Sequence, residues 1–260
     1  MNKVRVFLSI VLGICLGSVG GAEARDAKKG LEIAKQVDKF NEGFKGENST
    51  MKMKLINAHG QESNREMTSI VKEIKNDGDK SKIEFQKPRD VKGTRMLTWS
   101  HRKKDDDQWL YLPALKKIKR ITSRNKSGSF MGSEFSFEDL GSQEVDKYKH
   151  FFLAEEKLGE RVTWKSERIP VDKKSAYSKQ IVWVDKEYKA AAKVDYYDRK
   201  GTLMKTAVFS DWKKYGKWWR ANKIDMKNHL TRKGSVLIWS NRKLGVDQDD
   251  DDFDSDELAD

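Results

Sequence analysis

Apolar residues recur at spacings of four, three and four through Ile33, Val37, Phe40 and Phe44, with Lys, Glu and Asp between them. That period predicts an amphipathic helix over 27–44, with Gly43 or Gly46 to stop it. The period then changes to two. Met51, Met53 and Leu55 alternate with Lys52 and Lys54 and lead into the turn Asn57-Ala58-His59-Gly60, the pattern of a strand with one wet face. Further strands are expected over 65–74, 80–85, 95–100, 108–112 and 116–122, separated by Asn76-Asp77-Gly78-Asp79, by a charged loop through Asp105-Asp106-Asp107 and by Pro113. The 65–74 run offers no single apolar face, because Met67 and Val71 oppose Ile70 and Ile74.

The rhythm breaks over 123–140, where Gly128 and Gly132 lie in a loop that brings in Phe130, Met131, Phe135, Phe137 and Leu140. Alternation resumes over 151–171 and 177–184, and a hairpin is expected between 193–197 and 203–209 across Asp198-Arg199-Lys200-Gly201. The last two runs, 218–230 and 235–242, flank Thr231-Arg232-Lys233-Gly234. A chain of about ten short strands without parallel βαβ alternation predicts a mainly β protein with some α (α+β). Its antiparallel sheet, at about ten strands, is expected to be strongly curved or to close.

The two ends change this picture. Lys3 and Arg5 precede an apolar run from Val6 to Val19 and the small residues Gly20, Gly21, Ala22 and Ala24, the form of a secretory signal peptide over 1–24 cleaved before Arg25. Cleavage there removes Cys15, the sole cysteine, so no disulfide is expected. A single domain is expected over 25–246, acting in the periplasm. Residues 247–260 hold nine acids and no base, and such a block is expected to be solvated and disordered. The body 25–246 carries 51 basic and 31 acidic side chains, a net of +20. Such a field attracts anionic surfaces. Export takes nucleic acid out of consideration and leaves anionic lipid or acidic protein. By the same attraction, the acidic block is expected to fold back on the body.

No nucleophile elbow, phosphate-binding loop or dinucleotide fingerprint is present. The histidines, His59, His101, His150 and His229, stand far apart with no metal-ligand spacing. No cofactor, metal or catalytic residue is expected, and the chain reads as a non-enzyme.

Several passages resemble the LolA-like outer-membrane lipoprotein-sorting family, in the branch associated with exporters of the resistance-nodulation-division (RND) type. They are Asp38 to Phe44, Met51-Lys52-Met53, Gly93-Thr94-Arg95-Met96-Leu97, Gln108 to Ile121, and Phe130 to Leu140. The resemblance runs over nearly all of the mature chain, to about Leu244, and departs from the family at the acidic block. It implies a half-barrel with helices over its open side and an apolar cavity between the layers. That cavity would receive the acyl chains of a lipoprotein or another lipid. The implied partners are an inner-membrane RND-type exporter as donor and an outer-membrane acceptor, with the carrier acting as a monomer.

On that basis Met51, Met53, Leu55, Ile83, Phe85, Leu97, Trp99, Leu110 and Leu112 are candidates to line a lipid-binding cavity, with ordinary core as the competing reading for each. Phe130, Met131, Phe135, Phe137 and Leu140 are candidates for a lid or plug. Arg95 and Arg120 are candidate gating residues that would bond lid carbonyls in the empty state. The alternative function is a non-catalytic exported binding module whose basic surface engages anionic lipid or polymer.

Overall fold

The computed structural model describes residues 25–259; the expected signal peptide and its cleavage position lie outside them. The single α-helix among the described residues, α1 (Ala27–Asn41), is followed by thirteen strands. They are β1 (Gly46–Ile56), β2 (Glu62–Lys72), β3 (Lys80–Lys87), β4 (Arg95–Trp99), β5 (Asp107–Leu112), β6 (Lys117–Ile121), β7 (Tyr148–Leu158), β8 (Arg161–Pro170), β9 (Tyr177–Asp185), β10 (Ala190–Asp198), β11 (Leu203–Tyr215), β12 (Trp218–Asn228) and β13 (Gly234–Leu244).

All thirteen form one antiparallel sheet in the order β6-β5-β4-β3-β2-β1-β13-β12-β11-β10-β9-β8-β7. This corrects the expectation of a strongly curved sheet or incomplete barrel under a few helices. The sheet is neither closed nor strongly curled, and one α-helix accompanies it. Strand number alone points to strong curling or closure, because a twisted sheet of about ten or more strands tends to curl. Here the edges are managed separately. β6 is short and studded with Lys117, Lys119 and Arg120, a composition that discourages further pairing. At β7, Asp26 exchanges backbone hydrogen bonds with Phe152 at 3.0 and 2.9 Å, and α1 packs alongside.

Asp26 also caps the helix, its carboxylate accepting from the Lys29 amide at 2.9 Å. Gly30 allows the close approach of α1 to β7: a Cβ there would stand 2.6 Å from the Phe151 Cα.

The two faces of the sheet are covered differently. On the inner face Met51 and Met53 of β1, Met67 of β2, Phe85 of β3, Met96 of β4 and Leu110 of β5 pack in one core with Leu237, Met226, Ala207, Val194 and Val182 from the other half. The connection from β6 to β7 crosses this face and inserts Phe130, Phe135 and Phe137. Phe130 meets Phe85 at 5.7 Å and Phe137 at 5.9 Å between ring centroids.

On the outer face Ile70, Leu97, Trp99, Trp109 and Tyr111 are covered by Phe253 and Leu258 of the acidic segment. Residues 247–259 are therefore packed on the body and not free in solvent, because an aromatic and an aliphatic residue interrupt the run of like charge. That cover also explains the ambiguous pattern of β2: Met67 belongs to the inner core and Ile70 to the outer cluster, so both faces carry apolar residues.

Candidate functional site

The inner face is filled unevenly. The aromatic residues of the crossing connection pack against β1–β5, whereas toward β8–β12 a cavity of about 410 Å³ remains beneath α1. The helix presents Gly30, Ile33, Ala34, Val37 and Asn41 to it, a single stripe at helical spacing. The floor is Val182 and Val184 of β9, Ala191, Val194 and Tyr196 of β10, Ala207 and Phe209 of β11, and Ile224 and Met226 of β12. Phe135 and Val145 close the side nearest the crossing connection.

Polar groups also border it: Asp38, Asp139, Gln143, His150, Ser166 and Arg168. Arg168 donates to Gln180 at 2.5 Å and to Gln143 at 3.0 Å. The His150 Nε2 lies 2.9 Å from the Val145 carbonyl, and burial pulls the imidazole below its ordinary range, favouring the neutral ring. The Ser166 Oγ is buried with no hydrogen-bond partner among the described residues, so the lining holds an unspent donor.

The crossing connection is anchored by charge as well as by aromatic packing. The Lys205 Nζ of β11 pairs with Asp139 at 2.5 Å and donates to the Glu134 carbonyl at 3.1 Å. Asp139 also accepts from the Tyr177 hydroxyl at 2.8 Å and from the Ser136 amide at 2.7 Å. Glu134 accepts from the Asn228 amide at 2.6 Å, and its backbone N–H donates to Ser235 at 2.9 Å. Arg65 donates to the Met131 carbonyl and lies over the Phe85 ring, and burial lowers its pKa.

The sequence-derived candidates divide into three groups. Met51, Met53, Phe85, Leu110, Phe130, Phe135 and Phe137 share the inner core, with Leu55, Ile83, Leu112, Met131 and Leu140 packed against it. Leu97 and Trp99 are on the opposite face under Phe253, so they cannot line an inner cavity. Of all fourteen lining and plug candidates, Phe135 alone borders the cavity. Arg95 faces outward, donating to the Leu258 carbonyl at 3.1 Å, and Arg120 pairs with Asp107, so neither reaches the crossing connection as a gate would. Arg65 makes the carbonyl contact expected of them.

Comparison with known proteins fits this geometry. A family model described only as an uncharacterized protein matches residues 77–260. A solved domain from Vibrio parahaemolyticus, assigned to outer membrane lipoprotein sorting, is 46% identical and superposes with a TM-score of 0.88, covering 90% of this chain and 100% of that one. The chain belongs to the LolA-like outer-membrane lipoprotein-sorting family. A DUF1329 family protein from Desulfovibrio piger is 31% identical, with a TM-score of 0.86 and the same coverage of both chains. A LolA superfamily protein from Nitrosomonas europaea, 20% identical, covers 87% of this chain and 98% of that chain with a TM-score of 0.70, and shares the fold. No curated protein matches the chain. No group of three or more His, Cys, Asp or Glu is placed to hold a metal among the described residues.

Proposed function

We propose that the protein is a periplasmic carrier that takes the acyl chains of a lipoprotein or another lipid between α1 and the inner face of β8–β12. On this reading it receives cargo from an inner-membrane exporter of the RND type and shuttles it toward an outer-membrane acceptor. The apolar cavity under α1 carries the proposal. Its volume of about 410 Å³ falls within the range of roughly 300–1,000 Å³ in which small-molecule sites lie.

The energetics explain why a carrier is needed. Withdrawing a chain of about sixteen carbons from water is worth on the order of 12 kcal/mol, at roughly 0.8 kcal/mol per CH₂. Unaided passage across an aqueous compartment is then negligible. Ser166 and Arg168 beside the apolar lining supply donors for an ester or amide carbonyl at the head of the chain.

Native mass spectrometry of protein purified without detergent tests the reading. Co-purified acyl species, displaced by a fluorescent fatty acid with one-to-one stoichiometry, are the expected result. Protein free of lipid that binds only anionic surfaces in a salt-sensitive manner would replace the carrier with a basic binding module.

A further inference from the structure

The outer face of β2–β5 is a second place where the molecule is built to hold something. Ile70, Leu97, Trp99, Trp109 and Tyr111 form an apolar strip there, and Lys72, Lys82 and Arg95 stand along it. Residues 247–259 lie across this strip in a specific manner. Phe253 is wholly buried and Leu258 is 3% exposed. The Trp99 indole N–H donates to the Phe253 carbonyl at 2.8 Å, and the Arg95 guanidinium to the Leu258 carbonyl at 3.1 Å. Lys72 pairs with Asp250 at 2.6 Å and Lys82 with Asp252 at 2.8 Å. The recognition set is therefore two apolar anchors five residues apart, two directed donors to backbone carbonyls, and lysines for flanking carboxylates.

The fit is incomplete. An open pocket of about 400 Å³, bordered by Lys82, Glu84, Arg95, Asp251 and Asp254, lies between part of the segment and the sheet. Asp250 is 76% exposed, so its ion pair is one that salt screens readily. The segment holds its place through two buried side chains and through its covalent tether, which gives it an effective concentration in the millimolar range.

We propose that this strip is a docking site for an acidic peptide segment of a partner protein, one with an aromatic and an aliphatic anchor five residues apart, and that residues 247–259 occupy it in cis as a displaceable strap. Discrete anchors and donors aimed at single carbonyls suit a peptide better than a lipid surface, which offers neither. The strip lies on the face opposite the cavity, so the carrier reading stands or falls separately.

The probe is a fluorescent synthetic peptide with the sequence of residues 247–260. It is titrated against the intact chain, against the chain ending at Val246, and against a full-length F253S/L258S variant. Both altered proteins are expected to bind the peptide at least about tenfold more tightly than the intact chain, because the tethered competitor is gone or weakened. Binding should weaken with salt, and with a peptide whose Phe253 and Leu258 are replaced by alanine. Equal binding by all three proteins, or binding by none, overturns the proposal. So does a shortened chain that gains more affinity for phosphatidylglycerol–phosphatidylcholine vesicles than for the peptide. If the shortened chain fails to show a cooperative thermal transition, the full-length double variant decides by the same criteria.

Discussion

Lys205 of β11 and Asp139 of the crossing connection meet at 2.5 Å with side chains only 3% and 4% exposed. Neither charge has water to fall back on, so removing one partner strands the other. Lys205→Met is expected to cost about 3–5 kcal/mol. The measurement is urea unfolding at neutral pH. Combining it with Asp139→Leu should restore part of that loss, since the pair then leaves no buried charge, although Tyr177 and Ser136 lose an acceptor. A double variant as unstable as the single one would show that the hydrogen bonds from Tyr177 and Ser136, and not the ion pair, hold the connection in place.

Filling the cavity should separate binding from folding. Ala34 faces the cavity from α1, and a tryptophan there occupies space that the guest requires. Ala34→Trp is expected to abolish acyl co-purification while costing no more than about 1–3 kcal/mol of stability. Undiminished lipid in native mass spectra would place the guest elsewhere.

Arg65 offers a test of how the crossing connection is released. It bonds the Met131 carbonyl from β2, and burial makes that bond costly to leave unmade. Arg65→Leu should speed exchange of a bound fluorescent fatty acid, whereas Arg120→Leu, on the exposed edge, should leave the exchange rate unchanged. Stopped-flow displacement distinguishes the two.

Stability should also depend on pH through Asp79. Burial pushes its carboxyl up to about 7 from an ordinary value of 3.8. The folded state therefore binds a proton that the unfolded chain releases. The contribution is fully present below pH 3.8 and is lost as pH rises toward about 7. Asp79→Asn keeps an acceptor for the Ile74 amide. It should flatten the pH profile of thermal unfolding in that window and make the variant more stable than the parent at pH 8.

Local periodicity made α1 and the individual strands legible. The helix expected over 27–44 ends at Asn41, and the hairpin across Asp198–Gly201 forms between β10 and β11 as its turn residues indicate. What the pattern could not reveal was which apolar face meets empty space. Val194 borders the cavity, Met53 and Phe85 border the aromatic connection, and all three alternate with polar neighbours in the same way. The distinction arises from where a loop distant in sequence lays its phenylalanines. Leu97 and Trp99 were misplaced for a related reason: β4 is buried on both faces, and the cover on its outer side comes from a segment whose composition suggested no packing role. The buried Lys205 was hidden by the abundance of surface lysines, although a lysine in register with Ala207 and Phe209 on one strand face was the available signal.

The helix over the cavity is pinned at both ends. Asp26 ties its beginning to Phe152, and Asn41 ties its end to the Lys189 carbonyl and to Arg220 at 2.8 and 2.7 Å. It resembles a bar fixed at two posts more than a hinged door. A guest must thread lengthwise beneath such a bar, which admits slender, unbranched hydrocarbons and turns away rigid polycyclic ones.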